Sequence, residues 1–418
     1  MDVCAYISDI ASSAKKASFS MARLSTEQKN AALYKMADAL MSNVNFIISE
    51  NKKDMVAADE NGLSKAMKDR LLLDEKRVSA MADSVKQIAA FKDPVGEVIG
   101  GWRNKDDLWI QKVRVPIGVI GIIYESRPNV TCDCIALTLK SSNCVILKGG
   151  KEAINSNRAI YRVLTDAVKD MDIPDGAINF IDTTDRNAVK ELLKQRDFVD
   201  LIIPRGGEGL IRFVSENSLV PVIKHYKGVC HEYVDVSADV DMAVEICFNA
   251  KVQRPGVCNA IEKIVVHKDI AEKFLPKMAE RFKEASVEIR GDDVVCSILP
   301  QCKKAEESDW FEEYLDLIIA IKTVDSLEDA IDWINTHGSH HSDGIISSDY
   351  ESAQMFMRAV DSSSVYVNAS TRFTDGGVFG LGAEIGISTD KLHARGPMGV
   401  EELTTYKYMV FGNGQVRG

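Results

Sequence analysis

A chain of 418 residues, 45% hydrophobic and 27% charged, carries enough apolar material for two or three globular domains. Its formal net charge of -11 repels a phosphate backbone over most of the surface, which argues against nucleic-acid binding while leaving room for a local basic pocket for a small anion. Nine cysteines scattered from Cys4 to Cys302 lack paired CxxC spacing and read as reduced thiols; with no signal-like N-terminus and no apolar run of bilayer length, the expected location is cytoplasmic.

Residues 1–93 read as helical. Leu33, Met36, Ala37, Leu40, Met41, Val44, Ile47 and Ile48 form one apolar face behind a capping box at Ser25 and Gln28, and Val78, Met81, Ala82, Val85, Ile88 and Ala89 form another. Pro94 and Gly96 end this region. Alternation from Val98 to Val115 around a polar turn predicts a hairpin, and Pro116 separates it from IGVIGIIY (117–124), a run suited to a strand buried on both faces. Helices near 131–140, 151–169, 187–195 and 207–217 then alternate with strands at 144–148, 177–181 and 199–203. The second half repeats the alternation: a helix capped by Asp239, strands at 261–266, 316–321, 344–346 and 364–367, and helices after Asp269, around Leu327–Asn335 and after Asp349. Repeated βαβ units predict α/β domains with parallel sheets. The tail TTYKYMVF (404–411) reads as an edge strand and an oligomer contact.

Within AKVQRPGVCNAIEKIVV, Cys258 follows a Pro255-Gly256 turn between a helix and a strand. That position suits a nucleophile facing a cleft and equally a small apolar side chain packed at a junction. Lys148-Gly149-Gly150-Lys151 and Arg205-Gly206-Gly207 each combine approachable backbone N–H groups with a cation ahead of a helix. They fit a phosphate site or a tight turn, and neither matches GxGxxG. Arg127 and Asn129 follow the buried strand ending at Tyr124, where Asn129 can donate to an oxyanion or cap the next helix. Asn368, Ser370, Thr371 and Arg372 form a second donor cluster after a strand. His337, His340 and His341 lack metal-ligand spacing, so no metal is expected.

The runs PIGVIGIIYESRPNVT, LKGGKEA, DLIIPRGGEGLI, QRPGVCNA and VYVNASTRFTDGGVFGLGAEIGISTDKLHARGPMGVEELTTYK closely resemble the gamma-glutamyl phosphate reductase family, a branch of the aldehyde dehydrogenase superfamily, from about Leu24 onward. The resemblance implies NADPH-dependent reduction of L-glutamyl 5-phosphate to glutamate 5-semialdehyde with release of phosphate, in the second step of proline biosynthesis. It implies an aldehyde dehydrogenase-like fold with an NADP-binding domain at 1–97 and 116–224, a catalytic domain at 225–395, and oligomerisation segments at 98–115 and 396–418. A homo-oligomer is therefore expected, as is a separate glutamate kinase that supplies the acyl phosphate through transient contact.

Carried over by position, Cys258 resembles the thioester-forming nucleophile and Asn129 an oxyanion donor. Lys148 resembles the lysine on the adenosine ribose, beside Gly149, Gly150, Arg205, Gly206 and Gly207, and Glu313 the glutamate on the nicotinamide ribose. Lys151 aligns where NAD-preferring members carry a glutamate for the 2′-hydroxyl, so a cation there favours NADPH/NADP+. His225 aligns with the glutamate that activates water in hydrolytic members, and its loss fits reduction or phosphorolysis. Arg127, Arg254, Asn368, Ser370, Thr371 and Arg372 are the candidates for the substrate's phosphate and amino-acid ends. Competing readings are a hydrolytic NAD(P)-dependent aldehyde dehydrogenase acting on another aldehyde, and a non-catalytic nucleotide-binding or assembly member of the fold; the intact Cys258 segment argues against the latter.

Overall fold

The helical pattern ahead of Pro94 resolves into Val3–Met21, Thr26–Ser42, Val44–Glu60, Lys65–Leu71 and Glu75–Ala90, in a computed structural model that describes residues 2–381 and 383–417. The capping box forms as expected: Ser25 Oγ accepts from the Gln28 N–H at 3.1 Å and Gln28 Oε1 accepts from the Ser25 N–H at 2.9 Å. The apolar face expected to run from Leu33 to Ile48 instead belongs to two helices. Asn43 interrupts it, its Nδ2 donating back to the Ala39 carbonyl at 2.8 Å, the local competition with the helix ladder that an asparagine offers. Leu33, Met36, Ala37, Leu40 and Ile47 are buried, whereas Met41 is exposed.

Two compact units follow from the chain's own contacts. The first takes the described residues up to Lys224, of 380–386 and from Met398 onward; the second takes 225–379 and 387–397. In the first, four parallel strands lie in the order Ile178–Phe180, Cys144–Gly149, Val119–Tyr124, Leu201–Arg205. Val119–Tyr124 is central and buried along its whole length, as its uninterrupted apolar run requires, and each large aliphatic side chain there contributes roughly 1.5–3 kcal/mol of burial. After two crossovers to one side of Val119–Tyr124, the chain crosses to the other to place Leu201–Arg205. The strand order therefore reverses there, and the carboxyl ends of these strands frame the crevice where open α/β sheets take ligands.

The same unit carries a three-stranded antiparallel sheet of Val98–Arg103, Trp109–Pro116 and Thr404–Phe411, with Phe411 opposite Trp109 and Thr404 opposite Pro116. The tail strand is thus an edge, paired along one side only, and Trp102, Trp109, Tyr406, Tyr408, Val410 and Phe411 remain exposed around it.

Seven parallel strands build the second unit, in the order Lys303–Lys304, Glu288–Gly291, Ile318–Val324, Ile261–His267, Cys230–Val234, Ser342–Ile346, Ser364–Val367. Ile261–His267 and its neighbours pack on the helices Val240–Val252 and Lys268–Glu284 through Cys247, Phe274, Met278 and Phe282. Asp239 caps the first of these helices, accepting from the Met242 N–H at 2.8 Å. Cys230–Val234, near the middle of the sheet, has no counterpart in the sequence-based expectation. Its residues CHEYV look polar, yet all five are buried. His231 Nδ1 lies 2.9 Å from Asp343 Oδ1, and Glu232 Oε1 accepts from the Thr371 N–H at 3.2 Å, so one polar atom of each side chain finds a partner inside while His231 Nε2 and Glu232 Oε2 do not. Among the described residues no helix is long and apolar enough to cross a membrane.

Candidate active site

The chemistry-bearing residues of the second unit gather at the amino ends of its parallel strands. Cys258 lies on a turn just before Ile261–His267, Gly228 just before Cys230–Val234, and Glu313 ahead of Ile318–Val324. Cys230 pairs opposite Ile261, so the residues preceding each strand run side by side. The approach is so close that a Cβ on Gly228 would lie 2.1 Å from the Cys258 carbonyl oxygen and 2.5 Å from its Cα. The Gly228 N–H then donates to Glu313 Oε1 at 2.8 Å, and Cys230 Sγ donates to the Cys258 carbonyl at 3.1 Å. Glycine at 228 thus joins the candidate nucleophile to the candidate ribose ligand, and neither Gly228 nor Cys230 was a sequence-based candidate. The trace in the sequence is a glycine two residues before an unrecognised strand.

The Glu313 segment is anchored from beneath by buried charge. Lys263 Nζ donates to the Glu312 carbonyl at 2.8 Å and lies 4.4 Å from the Tyr314 ring centroid; burial pulls its ammonium down to about 7, against the pull of Glu262. Lys251 and Glu262 pair at 2.7 Å with both side chains fully buried, and Glu262 Oε1 accepts from the Leu315 N–H at 3.2 Å. Burial weakens the charged form of each, and each partner opposes that loss in the other.

Around Cys258 the turn is tied to the segment 368–374. Thr371 Oγ1 donates to the Asn259 carbonyl at 2.8 Å, Asn259 Nδ2 donates to the Thr374 carbonyl at 2.7 Å, and Arg372 Nε donates to Gln253 Oε1 at 2.9 Å. Arg372 and Arg254 are brought together with the thiol: burial and the neighbouring Arg254 hold the Arg372 guanidinium below its ordinary value, while Cys258 pulls it upward. Ser370 Oγ accepts from the Arg372 N–H at 3.3 Å. Asn368, at φ 54°, uses both ends of its amide on Ser347, accepting from its N–H and donating to its carbonyl at 2.9 Å each. Thr371 and Asn368 therefore act as supports of this segment.

His225 Nδ1 lies 2.9 Å from the Ile387 carbonyl, and its ring meets His341 edge-on at 5.7 Å. Burial and His225 hold His341 neutral, near about 3. The three histidines of the 337–341 loop diverge: His337 stacks on Trp333 at 3.7 Å, His340 Nδ1 reaches the Asp361 carbonyl at 2.6 Å, and His341 is buried. Among the described residues no group of three or more His, Cys, Asp or Glu is placed to hold a metal ion.

In the first unit, the loops after Tyr124, Gly149 and Arg205 lie side by side at the strand carboxyl ends. Lys148 is buried, its Nζ donating to the Gly149 carbonyl at 2.8 Å, and burial lowers its pKa against the opposing pull of Glu152. A Cβ on Gly149 would lie 2.2 Å from Asn157 Nδ2, and one on Gly150 2.2 Å from Glu152 Oε1. Glu152 folds back to accept from the Ser126 N–H at 2.7 Å. Lys151 is exposed at the start of a short 3₁₀ turn. Gly206 has no space for a Cβ beside Glu125, and the Gly207 N–H donates to Glu125 Oε2 at 2.9 Å. This cradle of glycines and a buried ammonium at the reversal of strand order suits a nicotinamide dinucleotide, with Glu125 and Glu152 holding the Gly207 and Ser126 N–H groups.

One expectation about this cradle is corrected. The helix after the Lys148–Lys151 loop, Ile154–Val168, does not offer its N-terminus to an anion, because Asp54 already occupies it. The Asp54 carboxylate, 2% exposed, accepts from the Ser156 N–H and Oγ at 2.7 and 2.5 Å and from the Asn155 N–H and Nδ2 at 3.2 and 2.8 Å. Asp54→Ala is expected to lower stability by about 3 kcal/mol, since buried N–H groups lose their acceptor. Urea unfolding midpoints measure this, and an unchanged midpoint would remove the capping role. Asn129 is not a cap either. It is the first residue of Asn129–Lys140, exposed, with Nδ2 donating to Asp133 Oδ2 at 3.0 Å.

Residues 5–314 match the aldehyde dehydrogenase family. The chain is 56% identical over 417 residues to the gamma-glutamyl phosphate reductase of Geobacter metallireducens, covering all of both chains. The crystal structure of the gamma-glutamyl phosphate reductase of Thermotoga maritima superposes with a TM-score of 0.97 at 47% identity, covering 99% of this chain and 100% of that one. An acetylating aldehyde dehydrogenase from Geobacillus thermoglucosidasius shares the fold alone, with a TM-score of 0.69 at 17% identity over 100% and 98% of the two chains.

Proposed function

The chain belongs to the aldehyde dehydrogenase family, and we propose that it reduces L-glutamyl 5-phosphate to L-glutamate 5-semialdehyde, releasing phosphate, with NADPH as reductant. The observation that carries this reading is the turn at Cys258, where a partly exposed thiol, two guanidiniums and the Gly228–Glu313 hydrogen bond converge. The identity with gamma-glutamyl phosphate reductases over the full length supports the substrate and the place in proline biosynthesis.

In this reading the Cys258 thiolate attacks the acyl carbon, the carbon–oxygen bond to phosphate breaks, and phosphate departs with the electron pair to leave a thioester. A bound nicotinamide supplies the hydride. The backbone N–H of Cys258 donates to the oxyanion, and Asn129 is proposed as a second donor. Collapse of the resulting hemithioacetal frees the aldehyde and restores the thiol. His225, its Nδ1 turned to the Ile387 carbonyl, stands where hydrolytic members carry the water-activating glutamate, and the loss of that carboxylate favours a thioester that waits for hydride or phosphate. Lys151, exposed on its turn, is proposed to meet the 2′-phosphate. The exposed apolar side chains around the Thr404–Phe411 edge strand support self-association through that sheet.

The reaction is tested in reverse, as NADP+ reduction with glutamate 5-semialdehyde. Turnover is expected to require inorganic phosphate and to be faster with NADP+ than with NAD+. Phosphate-independent formation of free glutamate would instead identify a hydrolytic aldehyde dehydrogenase.

A further inference from the structure

Beside Cys258 two cations share one short stretch of structure. Arg254 and Cys258 lie on the same turn, and Arg372 is fastened to that turn by its own Nε on Gln253 Oε1 at 2.9 Å. Its backbone carbonyl, 3.4 Å from Asn259 Nδ2, adds a second link. Thr371 Oγ1 on the Asn259 carbonyl locks the two segments together at the residue after the thiol. Arg254 is exposed and Arg372 half-buried, and the Arg372 guanidinium feels the charge of both Arg254 and Cys258. Like charges on one short stretch disfavour one another, and burial, with Arg254 beside it, lowers the Arg372 pKa. A doubly charged anion between them relieves that repulsion, and a planar fork matches phosphate oxygens bidentately.

Resting on the reading of the substrate as an acyl phosphate, we propose that Arg254 and Arg372 form the subsite for the leaving phosphate, and not for the α-carboxylate of the glutamyl chain. The chemistry of the substrate distinguishes the two ends. The phosphate is bonded to the carbon that Cys258 attacks, whereas the α-carboxylate is separated from that carbon by three others. A cation on the nucleophile's own turn, and one fastened to it, therefore meet the phosphate. They stabilise negative charge as the carbon–oxygen bond breaks, with the electron pair leaving on the phosphate. In the reverse direction they hold inorganic phosphate for attack on the thioester.

The test is steady-state kinetics of phosphate-dependent semialdehyde oxidation in the full-length protein, comparing wild type with Arg254→Gln and Arg372→Gln. Each variant is expected to raise the KM for inorganic phosphate by about 10- to 100-fold, with the KM for semialdehyde within about twofold of wild type. Arg254 is exposed, so its variant carries the test even where Arg372→Gln misfolds. A raised semialdehyde KM with an unaltered phosphate KM would place the pair at the amino-acid end and overturn the assignment, as would no change in either constant. Wild-type turnover that does not need phosphate would overturn the acyl-phosphate reading itself, and this assignment with it.

Discussion

Cys258→Ala is expected to lower semialdehyde oxidation by about 10⁴-fold or more while leaving NADPH binding intact. The magnitude follows from the proposed route: without the thiol no thioester forms, and what remains is the positioning and oxyanion stabilisation that a site retains after losing its nucleophile. Fold stability should hardly change. The side chain is partly exposed and loses a single heavy atom, while the backbone keeps its contacts: the carbonyl accepts from Cys230 Sγ, and the main chain packs on Gly228. NADPH fluorescence titration, a thermal melt and the turnover assay together separate the outcomes. Near-normal turnover would falsify the nucleophile assignment, and loss of NADPH binding would show that the thiol supports the cofactor site.

Why the thiol was identifiable in the sequence while its surroundings were not is a matter of range. Asp239 capping a helix, Pro255-Gly256 ending in a turn and the apolar run Ile261–Val266 are local signals, and together they place Cys258 between a helix and a strand. Gly228 carries no such signal. Its necessity arises from the parallel pairing of Cys230 with Ile261, which is fixed by the whole sheet. Cys230–Val234 itself was missed because His231 and Glu232 look like surface residues, and their partners, Asp343 and the Thr371 N–H, lie more than a hundred positions away. Asp54 is a similar case: on its own helix it resembles one more polar residue, and only the fold brings it to the start of Ile154–Val168. The stripe Val78–Ala89 and the run Val119–Tyr124 are readable because burial follows a helical period in the first and is continuous in the second. Site residues that act through backbone approach or distant pairing leave no period to read.

The strand order sharpens how the two candidate sites differ. In the first unit the candidate cofactor cradle sits at strand carboxyl ends beside the reversal between Val119–Tyr124 and Leu201–Arg205, where open sheets generally take ligands. In the second unit Cys258, Gly228 and Glu313 all precede their strands. Loops there are pinned close to the sheet edge by main-chain contacts, and buried charges such as Lys263 and the Lys251–Glu262 pair brace them from within. A nucleophile on such a turn would have little freedom to drift, which suits addition to an acyl carbon, a step whose geometry tolerates little error.

Gly228→Ala tests that rigidity directly. Its new methyl would lie 2.1 Å from the Cys258 carbonyl oxygen and 2.6 Å from the Cys258 carbonyl carbon. Both are backbone atoms, so no flexible side chain can swing aside, and one of the two segments must move. Whichever moves, the Gly228 N–H to Glu313 hydrogen bond or the position of the thiol is lost. A displacement of about 1 Å at a nucleophile can cost 10²-fold in rate, so kcat/KM is expected to fall by about 100-fold or more. The melting temperature should fall too, because a tight main-chain contact is forced apart. Gly228→Ala adds one uncharged methyl group and nothing else, which makes it a sharper probe than a larger substitution. Unaltered kcat/KM would mean that the two segments are free to separate, and that Cys258 is not held by its neighbour in the way its contacts imply.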